Sequence, residues 1–541
     1  MTYILVAGSN PRGTLYGAGK LLRKIEFGKD KAEIKLLDLA EQPVQKIRGV
    51  LFGVHDQDVG HKLWTNENWN RYLEDLALWG INTIFYTPFK FGQLNESGWH
   101  GTEEERATWR KRLEISKIAK SFGWNVGIKT TVNDVFLSQA DKFKKAEKGL
   151  SQNIDVATES GNICLSAPEA WHAILSLKEE LFKRLPYIDL LYVSATDPGG
   201  CACKKCRPYL KVYFDMCKDI ASRLKKYHPN AKMIVGYNAV SKEGMEFCCK
   251  YLREERPSWI DYIVYGMYGT TFPFPEIQTK IPGQYKVLLL PDITMRDGWG
   301  TYGATPWVRH FNYSLGRSSD FFKLGGQFNP AAYTDMFDER LPVAYDFATM
   351  GVDVDGAFVY SEGLHDDITK TIWCQKGWNP CRNTMDILDE YCRWWYGKEA
   401  ADEIKQAMLK MEEISDYRTK TDFFNPPKLI DFDNPEIIER VSAVSNLLEQ
   451  AERKMRPCHL QSWRWKMLKL RAKMDALIAE AHTRRFTGES LNAGIVEKKR
   501  QIILLAREIF NLCKMTSILG RGHFSMDGVE KSLDKIIDDF A

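Results

Sequence analysis

Two periodicities of apolar residues alternate along the chain. Short apolar runs rich in Val, Ile, Leu, Phe and Tyr are bounded by turn residues, and between them lie stretches with apolar positions at helical spacing. From residue 47 the runs are IRGVLFGV, INTIFYTP, NVGIKTTV, IDLLYVSA, AKMIVGYN, IDYIVYGM, KVLLLPDI and GAFVYSEG. Strands alternating with crossover helices predict a parallel sheet, and eight of them close a (β/α)8 TIM barrel. The barrel is assigned to residues 47–378. Residues 1–46 read as strand, turn, helix, strand (YILVAG, SNPRGT, LYGAGKLLRKI, AEIKLLDL), a small N-terminal α/β domain. Residues 379–541 carry Lys, Glu, Leu and Met at helical spacing, which predicts a C-terminal helical domain. Its stripe around Trp463, Trp465 and Arg471 reads as a packed or solvated helix face.

Composition narrows the function classes. Lys and Arg total 75 against 71 Asp and Glu, and no basic block could track a phosphate backbone, so nucleic acid is not expected as a partner. No apolar run is long enough to span a bilayer. SNPRGT and LYGAGK lack phosphate-loop spacing, so no nucleotide cofactor is expected. The 16 Trp suit a sugar-binding protein, because flat aromatic faces match the apolar C–H faces of sugars; large core side chains account for most of them. The start MTYILVAGSN has no leader pattern and reads as cytoplasmic, whereas a chain trimmed of a leader would be periplasmic or secreted. Oligomeric state is left open between a monomer and a homo-oligomer.

The chemistry is sought at the C-terminal ends of the strands, where barrel enzymes place their active sites. Asp197 follows LLYVSAT and precedes PGG, which lets the backbone turn sharply beside a ligand. Glu362 ends the eighth run, and Asp292 follows VLLLP, ahead of a loop containing Trp299 that could stack on a sugar. These three acids are the catalytic candidates. His55, Asp56, Asn133, Asp134, Asn238, Tyr265, Tyr268 and Trp299 are the substrate-binding candidates, being residue types that meet hydroxyls or sugar faces. Asp366 and Asp367 in LHDDITK read as N-cap candidates, with capping expected of at least one of them.

GGCACKKC places Cys201, Cys203 and Cys206 close together, a density that fits a structural zinc knuckle, free thiols or a disulfide. A fourth zinc ligand could be Cys164, a His, or nothing. No other cofactor is required.

NPRGTLYGAGKLLRKI followed by IRGVLFGVHDQ, then ENWNRYLEDLALWGINTIFY, SFGWNVGIKTTVN and YSEGLHDDITKTIWCQKGWNP, resembles in order the leading domain and barrel of family 67 alpha-glucuronidases and the related hexosaminidase-like, family 20-type enzymes. The resemblance covers residues 1 to about 400. It implies an exo-acting glycoside hydrolase with a carbohydrate substrate, whose proton donor follows the fourth strand. Ala195, Thr196, Asp197, Pro198 and Gly199 stand where the alpha-glucuronidases carry Asp-Ser-Glu, and the adjacent Asp-Glu pair of the hexosaminidases is missing. The resemblance therefore transfers neither substrate nor stereochemistry, and substrate-assisted catalysis is not expected. The alternatives are an inactive glycan-binding barrel and a metal-dependent lyase or deglycosidase.

Overall fold

The computed structural model describes residues 4–27, 31–52, 64–88, 99, 103–147, 162–195, 200–236, 242–266, 280–290, 354–361, 367–416 and 435–486, with scattered positions between 497 and 508. Helix α1 (Pro11–Lys24) comes first; Asn10 caps it by accepting from the Gly13 amide at 2.9 Å, and Pro11 suits its first turn. A two-residue antiparallel pair follows, β1 (Glu26–Phe27) and β2 (Ala32–Glu33).

The barrel then runs β3 (Ile47–Phe52), α2 (Asn66–Leu78), β4 (Thr83–Tyr86), α3 (Glu103–Ser121), β5 (Asn125–Thr131), α4 (Pro168–Arg184), β6 (Leu190–Ser194), α5 (Tyr209–Tyr227), β7 (Lys232–Gly236), α6 (Lys242–Glu254), β8 (Tyr262–Gly266), β9 (Lys286–Leu290), β10 (Gly356–Ser361) and α7 (Asp367–Trp378). Strands β3 to β10 are parallel and hydrogen-bonded in sequence order, and β10 closes on β3. Each of the eight strands falls within one of the apolar runs. The (β/α)8 expectation holds.

Strand alternation divides the core in two. Odd positions of β3 and β4 (Leu51, Phe85) join Leu190, Tyr192, Ile234, Val264, Leu288, Leu290, Phe358 and Tyr360 inside the barrel. The other faces pack against the helices; on α2, for example, Trp69, Leu73 and Leu76 fall at helical spacing and are buried. The interior is filled by pairing large side chains with glycine. Phe85 stacks on Phe358 with ring centroids 4.1 Å apart, and a Cβ on neighbouring Gly127 would sit 2.4 Å from the Phe85 ring. Gly236 makes the same room for Tyr192, where a Cβ would approach to 2.5 Å.

The N-terminal segment differs from expectation. YILVAG forms no strand over its described positions 4–8, and of AEIKLLDL only Ala32–Glu33 pairs. A strand needs a neighbouring edge; these stretches meet none among the described residues, and Leu5 and Leu36 are exposed. The segment attaches instead through α1. Gly19 lies so close to α2 that a Cβ would fall 2.1 Å from the Leu78 carbonyl oxygen. Arg23 donates to that same carbonyl and pairs with Glu390 at 3.0 Å.

Beyond the barrel come α8 (Thr384–Tyr396), α9 (Ala401–Asp416), α10 (Pro435–Lys454) and α11 (Trp463–Phe486). Arg464 of α11 is the joint to the barrel. Its Nε donates to Asp367 at 2.8 Å, its Nη1 reaches Asp75 of α2 at 2.9 Å, and its guanidinium lies 3.5 Å from the centre of the Trp395 ring. Tyr391 of α8 donates to Asp367 at 2.7 Å. Asp367, the first residue of α7, is thus a buried ion-pair partner, and Asp366, the other residue considered for the cap, lies outside the described residues. Trp465 and Arg471 are buried, as a packed helix face requires. No helix among the described residues is long and apolar enough to cross a membrane.

Candidate active site

The described wall of the barrel mouth is built by the C-terminal halves of β5 and β6. Lys129 stands in register with Tyr192, and Thr131 with Ser194, so each pair shares a face. Tyr192 points into the barrel, which places Lys129 inside as well, and the Lys129 ammonium lies 5.8 Å from the centre of the Tyr192 ring. Lys129 is only 1% exposed. Burying an ammonium is expensive, so the surroundings of Lys129 must compensate its charge. Lys129 is not among the residues that the strand-end pattern singles out. Its signal is visible in hindsight, as the one charged residue in the buried stretch VGIKTT.

Beyond the strand ends, two loops are fastened together. Asn133, fully buried, donates through Nδ2 to the carbonyls of Ile163 (3.0 Å) and Gly200 (2.9 Å), while its Oδ1 accepts from the Gly200 amide at 3.1 Å. Gly200 has φ +98°, which favours glycine, and its amide also donates to Tyr209 at 3.1 Å. Burial raises the Tyr209 hydroxyl well above its ordinary pKa, so it stays neutral. Asp134 accepts from the buried Lys178 at 2.5 Å, and Lys178 also donates to Thr130 at 2.6 Å. The contacts found for Asn133 and Asp134 are with the protein itself; both residues set the position of the loops after β5 and β6.

The cysteines stand at the same place. Cys201, Cys203 and Cys206, from the loop after β6, meet Cys164, from the loop after β5, and all four sulfurs lie within 4.8 Å of one another. The Glu147 amide donates to Cys201 Sγ at 3.4 Å, and the Ala202 amide to the Glu147 carbonyl at 2.9 Å. A hydrogen bond from Cys206 favours the Cys201 thiolate, and the same bond pushes Cys206 up.

The three catalytic candidates, Asp197, Asp292 and Glu362, lie outside the described residues, as do His55, Asp56, Asn238, Tyr268 and Trp299. Tyr265 stands in β8 by its backbone, opposite Leu289. The structure therefore brings together Asn133, Asp134 and the cysteine cluster.

The fold has known counterparts. Over 97% of this chain and 71% of the other, it superposes on a GH138 enzyme targeting pectin rhamnogalacturonan II, with a TM-score of 0.52 at 11% identity. CpGH84B covers 97% of the chain and 83% of its own at a TM-score of 0.47 and 12% identity, and a GH20 exo-β-N-acetylglucosaminidase from Vibrio harveyi covers 74% and 64% at 0.41 and 12%. The fold shared with the GH138 enzyme is the (β/α)8 barrel. At these identities the likeness extends to architecture and not to a particular activity. No family model and no curated protein sequence matches the chain.

Proposed function

We propose that this protein is a glycoside hydrolase, exo-acting on an oligosaccharide or glycoside, that cleaves the glycosidic bond by carboxylate acid–base chemistry at the barrel mouth. The observation that carries the reading is the closed parallel barrel whose fourth strand, β6, ends at Ser194, three residues before Asp197. Barrel enzymes work at that face, and glycosidic cleavage needs one carboxylic acid to protonate the leaving oxygen and a second carboxylate as nucleophile or base. Asp197 is the proposed donor, with Glu362 or Asp292 as the second acid. The buried Lys129 favours an anionic environment there, and it suits a substrate bearing a uronic carboxylate.

Incubating the protein with a panel of neutral and uronic aryl glycosides and short oligosaccharides tests the reading. Saturable release of a single sugar from the chain end supports it. Tight glycan binding without turnover on any member would replace it with a binding barrel.

A further inference from the structure

The sulfurs of Cys164, Cys201, Cys203 and Cys206 have a spacing that can be checked against coordination geometry. Cys164 Sγ lies 3.6 Å from Cys203 Sγ, 3.7 Å from Cys206 Sγ and 3.8 Å from Cys201 Sγ. A disulfide brings two sulfurs to about 2.05 Å, so none of these pairs is bonded. A zinc ion with bonds of about 2.3 Å to four thiolates makes a tetrahedron whose sulfur–sulfur edge is about 3.8 Å, from the ratio of edge to centre distance. The three separations from Cys164 match that edge, and all four sulfurs stay within 4.8 Å of one another.

We propose that these four cysteines bind one structural zinc ion as a tetrathiolate. The donor set is soft and all-sulfur, and four-coordinate closure leaves no open position for substrate or water, as structural zinc sites require. All four residues are buried, which shields the metal from exchange. The Glu147 amide that donates to Cys201 Sγ supplies the outer hydrogen bond that orients and partly neutralises a metal-bound thiolate. Lys204 and Lys205 in the ligand loop, with Lys144 beside the cluster, place positive charge around a centre carrying two net negative charges when four thiolates surround Zn²⁺.

The site has a structural consequence. Three ligands come from the loop after β6 and one from the loop after β5, so the ion joins two adjacent loops on the face where the barrel strands end. Asn133 ties the same two loops through Ile163 and Gly200. The metal and the amide are parallel fasteners of one wall of the mouth.

The test uses the full chain purified without chelator from zinc-replete cells. Elemental analysis should return about one zinc per chain, with the metal released when a mercurial titrates the four thiols. Cobalt exchanged into the site should show the charge-transfer and d–d bands of tetrahedral thiolate coordination. Cys164→Ser should lose at least about ten-fold in zinc retention, while Cys381→Ser, at an exposed cysteine elsewhere, should retain it. If Cys164→Ser does not fold, the cobalt spectrum of the unaltered chain still decides. Folded protein that carries less than about a tenth of an equivalent of zinc and takes up no cobalt would overturn the proposal, as would stoichiometric iron in zinc's place. None of these readouts depends on glycosidase activity.

Discussion

Two of the buried polar assemblies among the described residues, at the barrel mouth and at the joint to the helical region, work by different physics. At the barrel mouth, the loops after β5 and β6 are joined by the neutral amide of Asn133, the backbone of Gly200 and four cysteine sulfurs. At the joint between barrel and helical region, a single guanidinium, Arg464, meets Asp367 and Asp75 and is covered by Trp395 and Trp463. The mouth satisfies backbone groups that a turn leaves open, so it fixes shape. The joint compensates charges withdrawn from water, so it fixes stability. Damage at the mouth should therefore appear in turnover, and damage at the joint in unfolding.

The joint also shows how one cation treats two acids. Burial raises both carboxyls, but Asp367, with two contacts from Arg464 and one from Tyr391, ends below its ordinary pKa, while Asp75, with one contact from Arg464, ends above. Against the burial penalty, Asp367 has Arg464, Lys370 and Tyr391 to favour its charged form, whereas Asp75 has Arg464 alone and the like charges of Asp367 and Glu74 against it.

The largest stability effect is expected from Arg464→Met, which strands the buried Asp367. It should lose about 3–5 kcal/mol, read by denaturant unfolding, with little change in turnover of the folded fraction. A loss under about 1 kcal/mol would show the joint to be dispensable. Acid should act on the same region. Burial would raise Glu390, but Arg23 and Arg382 outweigh it and hold the carboxyl at about 2, against an ordinary 4.5. Its contribution is thus fully present above about pH 4.5 and fades as pH falls towards 2; unfolding midpoints measured across that range should decline, and less steeply in Glu390→Gln. Gly127→Ala, which pushes a methyl into the Phe85 ring, should lose about 1–3 kcal/mol by thermal melting. Replacing the cap in Asn10→Ala is the smallest change, about 1 kcal/mol, and it should leave turnover intact.

How much of this could be read from sequence depends on what each feature needs. The barrel strands were legible because each buries both faces; IRGVLF is buried at every position of β3, and a run that must be apolar throughout announces itself. YILVAG carries the same signal, yet its described positions 4–8 form no strand, because a strand exists only with a partner and sequence does not reveal the partner. Cys164 could be named only as one of several fourth ligands, since it lies 37 residues from Cys201 and only folding brings them together. Arg464 looked like one more basic residue on a helix, and Asp367 like a cap, because their pairing spans 97 positions. Lys129 was visible but unread, hidden by ordinary strand neighbours.

The proton-donor role of Asp197 is the claim on which the functional account rests, and substrate leaving groups interrogate it directly. Asp197→Asn should lower turnover by on the order of a hundred-fold or more on glycosides with poor leaving groups, and much less on activated aryl glycosides, whose departure needs little protonation. An unchanged rate on both substrate types would remove Asp197 from the mechanism, and equal losses on both would contradict its assignment as the acid.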